Sequence, residues 1–366
     1  MKDREKLVVH VVGTGLIGTS IALAAREHGH VVSVEDQNPH HEALAMDLLK
    51  ISLDIAPSEL ESVQIVVVAV PPKAVAEVVS ASLRQYPNAI VIDVASVKTN
   101  LVNEVSSLSD KFGRYIPTHP IAGRQYEGPA SAQADLFLDR PWILIPRPGN
   151  SPSDLSLLSS FIEELGASVQ QMTSEHHDFL FARISHMPQI VSTVLGAGLI
   201  DIGAEVAYAG QGLRDVTRLA ESKSELWSEI ISMNRAEISD ALQEFSNRLA
   251  IVAQAISDDN EESISTLFKS GNKGRTFFAG KHGGKIRNYV YFRIVIEDRP
   301  GALGDLFLLC GKRGINVEDL SIEHSPRQET GLITLAVSPE QGDKFQEALT
   351  EAQWKFHVEK KDPIGS

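Results

Sequence analysis

The chain has 366 residues, carries 34 Lys+Arg against 48 Asp+Glu for a formal net charge of −14, and is 43% hydrophobic. That length suits two or three domains with cores of their own and excludes disorder as the main state, while the acidic balance argues against nucleic acid or anionic membrane surfaces as partners and requires any anionic ligand to be held locally. The lone Cys310 offers neither a disulfide framework nor a CxxC pair, and the longest uncharged apolar stretch, Ile190 to Ile200, is short for a membrane span, so a soluble cytoplasmic protein is expected.

From Leu7 to about Gln171, short β-branched runs alternate with helix-sized segments: Leu7 to Val12, Val31 to Glu35, Gln64 to Val70, Ala89 to Val94, Arg114 to Pro117 and Trp142 to Pro146. The alternation predicts right-handed βαβ crossovers and a mostly parallel, Rossmann-like α/β sheet. From Met172 to about Phe278 the pattern is helical, and between Trp227 and Ile256 apolar residues recur so as to keep one stripe apolar for about eight turns. Such a helix needs a partner, either another helix of this chain or a second subunit. Gly271 to Lys285 is rich in Gly and Lys and reads as a linker. The remainder has the order βαββαβ, a small ferredoxin-like arrangement. Three domains are expected: residues 1–171, 172–285 and 286–366.

The segment Gly13-Thr14-Gly15-Leu16-Ile17-Gly18 is G-x-G-x-x-G, placed between a strand and a helix. Gly13 allows the tight turn, Gly15 admits a pyrophosphate to the backbone, and Gly18 lets helix pack closely on strand. The second strand ends at Glu35-Asp36, where Asp36, or alternatively Glu35, can accept hydrogen bonds from a ribose diol. No Arg or Lys between Val31 and Leu49 is available for a 2′-phosphate. NAD is therefore expected rather than NADP. No His/Cys/Asp/Glu spacing points to a metal, and the pair His176-His177 reads as surface.

Three more segments fall where such a sheet puts its ligands: Asp93 to Lys98 (DVASVK), Thr118 to Gly123 (THPIAG), and Gly210 to Ala220, in which Arg214 and Arg218 share a helix face. Together with the glycine turn, HDFLFARISHMP and Trp227, they resemble the prephenate/arogenate dehydrogenase family of tyrosine biosynthesis, in order over most of residues 7–285. The resemblance implies a Rossmann-like domain followed by an all-helical dimerisation domain, and so favours a homodimer or higher homo-oligomer. The last 75 residues resemble an ACT domain through Asp298 to Leu303 and Gly314 to Val317. An amino-acid effector, tyrosine in the first instance, is the corresponding expectation.

In the reaction this resemblance implies, hydride leaves C4 of prephenate for NAD, the ring carboxylate departs as CO2, and 4-hydroxyphenylpyruvate forms. A base must take the C4 hydroxyl proton, and a neutral imidazole suits that task. His119 matches the family's catalytic histidine. Ser96 matches the serine that hydrogen-bonds it and the substrate, with an N-cap for a helix beginning near Lys98 as the structural alternative. Arg218 matches the arginine that grips a substrate carboxylate through its guanidinium fork, the alternative being an ion pair with Glu221. His186 matches a histidine lining the cleft, but Gln189 stands where a second family histidine is expected. Arg124 is a candidate second anchor, and Gln125 takes the place of an acid common in relatives. That exchange favours prephenate over arogenate, whose ammonium would suit an acidic neighbour.

For the effector, backbone N–H groups at Arg299, Gly301 and Ala302 could cradle a carboxylate, with Asn316 nearby. A ligand-free dimerisation module is the alternative. Three rival readings of the whole chain are an arogenate dehydrogenase, a β-hydroxyacid dehydrogenase, which would use a lysine that Met172 to Lys223 does not supply, and a non-catalytic amino-acid sensor.

Overall fold

The computed structural model describes residues 6–51, 62–109, 112–123, 128–277, 289–297, 299–324 and 330–360. The chain divides into two compact units, Met1–Glu261 and Glu262–Ser366. The first opens as an alternating α/β array: β1 Val8–Val12, α1 Leu16–Glu27, β2 Val31–Glu35, α2 Pro39–Leu49, β3 Ile65–Val68, α3 Val75–Gln85, β4 Ile90–Asp93, α4 Thr99–Leu108, β5 Tyr115–Pro120, β6 Pro141–Leu144, α5 Pro152–Glu164 and β7 Ser168–Gln171. These seven strands form one sheet in the order β2-β1-β3-β4-β5-β6-β7. All pairs are parallel except β5 with β6, where His119 lies opposite Ile143.

The β-branched runs become strands because both faces of the sheet are covered. Val9, Val11, Ile65, Val67 and Ile92 face one core with α1 and α5, and Val66, Val68 and Val91 face another with α3 and α4. Such double burial favours continuous apolar runs over alternating ones. β3 is buried at all four of its positions. The chain steps outward from β1 to β2 and then back across β1 to β3, so the strand order reverses there. In an open α/β sheet, that reversal opens the ligand crevice at the carboxyl ends of the strands. Strand β7, which the β-branched pattern of Ser168–Gln171 did not announce, completes the sheet.

A helical section follows: α6 Ser174–Phe181, a π-helical segment Ala182–His186, α7 Met187–Ile202, α8 Gln211–Thr217, α9 Ser224–Met233 and α10 Arg235–Ser257. The single long helix expected from Trp227 to Ile256 is two helices. Asn234 departs from helical geometry at φ −115°, ψ 30°, and its side chain bonds to the carbonyl of Asp178 and approaches His186. The helical run Ser174–Tyr208 is also longer than its uncharged stretch implied, long and apolar enough by length and composition to cross a bilayer. Its inner face buries His177, Asp178, His186, Gln189 and Ser192, while Ile200 is 81% and Tyr208 90% exposed.

The boundary between the units falls after the first residue of α11 Glu261–Arg275, and the first five residues of the expected linker are helical; residues 278–288 lie outside the described residues. The second unit continues with β8 Val290–Glu297, α12 Ala302–Lys312, β9 Asp319–His324, β10 Thr330–Val337, α13 Pro339–Glu351 and β11 Lys355–Lys360. The four strands form an antiparallel sheet in the order β11-β8-β10-β9, which is the expected βαββαβ arrangement. Phe292, Ile294, Leu306, Cys310, Leu335 and Phe345 make its core.

Candidate active site

The glycine turn follows β1 directly, and Gly13 takes φ +97°, open to glycine without strain. A Cβ there would sit 2.4 Å from the carbonyl oxygen of Ala69, and one at Gly18 would sit 2.0 Å from that of Gly13. Both contacts press α1 onto the sheet. At Gly15, by contrast, a Cβ would meet nothing within 4 Å. The open space at the start of α1, with Leu16, Ile17 and Gly18 in its first turn, leaves unpaired backbone N–H groups facing outward, as an anion requires.

Asp36 stands at the end of β2 and closes this cradle from the side. Its Oδ2 accepts the backbone N–H of Thr14 at 2.6 Å and the Thr14 hydroxyl at 2.8 Å, and its Oδ1 accepts the N–H of Asn38 at 2.8 Å. Burial pushes its carboxyl up, but the hydrogen bonds from Asn38 and Thr14 outweigh that and hold it below the usual carboxylate range. An ionised Asp36 suits a ribose diol and repels a 2′-phosphate. The residues present therefore fit NAD.

His119 ends β5 at the same carboxyl edge, three strands from β1, about 14 Å at ~4.8 Å per strand. Its Nδ1 lies 2.8 Å from Nε2 of His177, and Nδ1 of His177 lies 2.8 Å from Oδ1 of Asp178. Phe181, one turn along α6, stacks on the His177 ring at 4.4 Å and sits 4.9 Å from the His119 ring. The surface position expected for His177 is thus wrong. Only His176 is exposed; His177 is fully buried because the first turn of α6 turns it inward against β5. The acid that follows it in sequence was the available signal.

Beneath these rings lies a buried polar cluster. Lys98 Nζ donates to Asp93 Oδ1 at 2.5 Å and to the Thr118 carbonyl at 2.6 Å, the Tyr115 hydroxyl donates to Asp93 Oδ2 at 2.7 Å, and the Thr118 hydroxyl donates to the Asp93 carbonyl at 2.6 Å. Lys98 and Asp93 are both inaccessible to solvent. Burial lowers the Lys98 ammonium against the pull of Asp93, and burial raises the Tyr115 phenol. For His119, burial foremost, then the neighbouring His177, Lys98 and His186, push the imidazole well below its ordinary value. It is held as a neutral base.

His186 is buried, edge-on to Trp227 at 6.1 Å, and burial pushes it down to about 4. The wider winding of Ala182–His186 sets its direction, and π segments of this kind recur at functional sites. Ser96 occupies the bend between β4 and α4. The capping reading of it does not match the structure: α4 starts at Thr99, and the N–H groups of Lys98 and Thr99 go to Asp178. His177 engages only Nδ1 of His119.

Arg218 lies just after α8 and lines a cavity of about 490 Å³ with Arg214, Gln211, Thr217 and Glu221. Among the described residues it forms no ion pair with Glu221. Gln189 is buried and donates from Nε2 to the carbonyl of Leu219 at 2.6 Å, holding the backbone beside Arg218. Arg124 and Gln125 lie outside the described residues. So do Asp298 and the rest of the segment before Tyr289 back to residue 278.

In the C-terminal unit, Gly301 adopts φ +88° ahead of α12. The Ala302 N–H is not free, because it bonds to the Arg299 carbonyl at 3.2 Å. Arg299 is likewise engaged, at 3.2 Å from Glu297 and 3.0 Å from Asp305. Asn316 donates to Gln341 from its backbone and to Glu318 from its side chain. Among the described residues no group of three or more His, Cys, Asp or Glu could hold a metal ion.

Comparison with known proteins agrees with this geometry. Residues 21–171 match the family model described as the prephenate dehydrogenase nucleotide-binding domain, and residues 173–270 match that of the prephenate dehydrogenase dimerization domain. The chain is 27% identical to "Probable prephenate dehydrogenase NovF" of Streptomyces niveus over 358 residues, 94% of this chain and 98% of that protein. Among solved structures it resembles Synechocystis arogenate dehydrogenase (TM-score 0.66, 28% identity, 74% of this chain and 99% of that one). It also resembles prephenate dehydrogenase from Aquifex aeolicus in complex with hydroxyphenyl propionate and NAD+ (TM-score 0.68, 27% identity, 75% and 99%). Since the two matched stretches, residues 21–171 and 173–270, together span more than half of the chain, the chain belongs to the prephenate dehydrogenase family of NAD-dependent dehydrogenases.

Proposed function

We propose that the protein oxidatively decarboxylates prephenate to 4-hydroxyphenylpyruvate, with His119 as the base. The observation that carries this reading is the chain His119–His177–Asp178 at the carboxyl edge of the nucleotide sheet. NAD, when bound, supplies the hydride acceptor. The remaining work falls to the protein. His119 takes the C4 hydroxyl proton, its lowered basicity keeping it unprotonated near neutrality. Arg218 offers a guanidinium fork to a carboxylate of the dianion, which an acidic protein would otherwise repel. Loss of CO2 then leaves an aromatic ring, and that gain drives the reaction forward.

The helical region is read as a homodimer interface. Val194, Leu195, Ile200, Ile202 and Tyr208 expose apolar surface along one stretch of it, and large exposed apolar patches commonly mark association sites. The C-terminal unit is read as an ACT module that senses an amino acid, tyrosine first, supported by its βαββαβ order and the left-handed Gly301 before α12. Since Arg299 and the Ala302 N–H are already engaged, an effector carboxylate would be met by other N–H groups of that turn.

The test is NADH formation by the purified chain with NAD and either prephenate or arogenate, each with and without tyrosine. A higher kcat/KM on prephenate is expected. Preference for arogenate would move the assignment to the arogenate branch, and NAD binding without turnover of either would favour a sensor.

A further inference from the structure

We propose that His177 and Asp178 fix the tautomer of His119, holding its proton on Nδ1 and leaving Nε2 as a permanent free acceptor. The inference rests on reading His119 as the base and deepens it by assigning the residue that orients it. Asp178 accepts the backbone N–H of Lys98 through Oδ1 at 2.9 Å and that of Thr99 through Oδ2 at 2.8 Å. Burial alone would raise its carboxyl, but hydrogen bonds from His177 and Thr99 keep it below the usual range, so it is ionised. An ionised carboxylate only accepts. The 2.8 Å contact therefore obliges His177 to donate from Nδ1.

A neutral imidazole carries one N–H. With its proton on Nδ1, His177 presents a lone pair at Nε2, and the 2.8 Å contact then obliges His119 to donate from its own Nδ1. His119 is left with a lone pair at Nε2. Among the described residues this arrangement is undisturbed: Lys98 Nζ bonds to Asp93 and Thr118, and Phe181 packs on both imidazoles and fixes their planes. The logic is that of an acid orienting a catalytic histidine, extended by one ring.

In the proposed reaction the substrate O–H bond breaks and an N–H bond forms at Nε2 of His119, while the hydride leaves for the nicotinamide. The positive charge then resides on His119, with its Nδ1–H directed at His177 and the Asp178 carboxylate beyond. Asp178 stays ionised and compensates that charge through one neutral ring. His177 is thus a positioning residue, and it touches neither substrate nor cofactor in this account.

The experiment compares His177→Gln with His177→Leu in the full chain and reads the His119 ring by ¹⁵N NMR, assigned by difference from His119→Asn. The Gln amide can accept from His119 and donate to Asp178, so it should keep kcat within about tenfold, whereas Leu should lower kcat on the order of 10²-fold with little change in KM for NAD. The spectrum should show Nδ1 protonated and Nε2 bare in wild type and in the Gln variant, and a mixture of tautomers in the Leu variant. A wild-type His119 protonated at Nε2 overturns the proposal, as does a Leu variant with wild-type kcat. Because the spectrum needs no substrate, an Nδ1–H His119 in a protein that oxidises no cyclohexadienol would support the tautomer assignment while removing the catalytic reading.

Discussion

The carboxylate of Asp178 accepts the backbone N–H of Thr99 at 2.8 Å, so a side chain of α6 caps the start of α4 from 79 positions away. The same carboxylate holds the Lys98 N–H and the His177 ring. Asp178→Ala should leave three donors without their partner and cost about 2–4 kcal/mol by the usual cap and unpaired-donor magnitudes. Asp178→Asn, which keeps one acceptor oxygen, should cost less. Urea unfolding of the two variants measures the difference.

His119→Asn should remove most of kcat while NAD binding stays within a few-fold, since the ring sits at the edge of β5 and the glycine cradle follows β1. Steady-state NADH formation and an NAD titration by calorimetry check the two halves. Unchanged turnover would take His119 out of the chemistry.

Lys98→Met should destabilise strongly without touching the cradle. It leaves the Asp93 carboxylate inaccessible to solvent with only the Tyr115 hydroxyl on its side-chain oxygens beyond the Ala95 N–H, and strips the Thr118 carbonyl of its Nζ donor. Breaking a buried pair from one side costs on the order of 3–5 kcal/mol. Replacing both partners, Lys98→Met with Asp93→Asn, should recover part of that loss in thermal unfolding.

Alanine at Gly18 and at Gly15 should separate folding from binding. At Gly18 the new Cβ would fall 2.0 Å from a backbone oxygen that cannot yield, so Tm should drop. At Gly15 nothing lies within 4 Å, so Tm should hold while NAD affinity falls, because the methyl occupies the approach of the pyrophosphate. An equal loss of Tm in both variants would contradict the open cradle.

Acid should weaken the fold in a defined window. His186 is pushed by burial from an ordinary 6.5 to about 4, so the unfolded chain binds the proton first. Its contribution is fully present above pH 6.5 and is lost as pH falls toward 4, by about 3 kcal/mol at 1.36 kcal/mol per unit. Urea midpoints at pH 7.5 and 5 should differ less in His186→Asn than in wild type. For the same reason the acid limb of kcat/KM should lie below the ordinary histidine value, since His119 is also lowered and works only unprotonated.

Local features were legible in the sequence because neighbours in the chain create them. The β-branched runs, the glycine turn and Asp36 at the end of β2 need only their own segment and the strand beside it. His177 escaped because its meaning comes from His119, 58 positions earlier, while a histidine pair opening a helix looks like solvated polar surface. Asn234 escaped for a similar reason. The apolar stripe runs through it without losing register, and only the distant Asp178 carbonyl and His186 reveal why the helix parts there. Gly271 to Arg275 read as linker by composition, yet α11 continues through them.

The π-helical segment Ala182–His186 has a consequence for sequence length. Its turn holds one residue more than regular winding would, so removing one, the exposed Ile184 for instance, would restore an ordinary coil. Because the wider turn absorbs that residue, the flanking helices α6 and α7 would keep their phase, and the change would fall on the side chains of the segment itself, His186 among them. His186 would be turned away from Asn234 and Trp227, so the extra residue in this turn is as constrained as the histidine it aims.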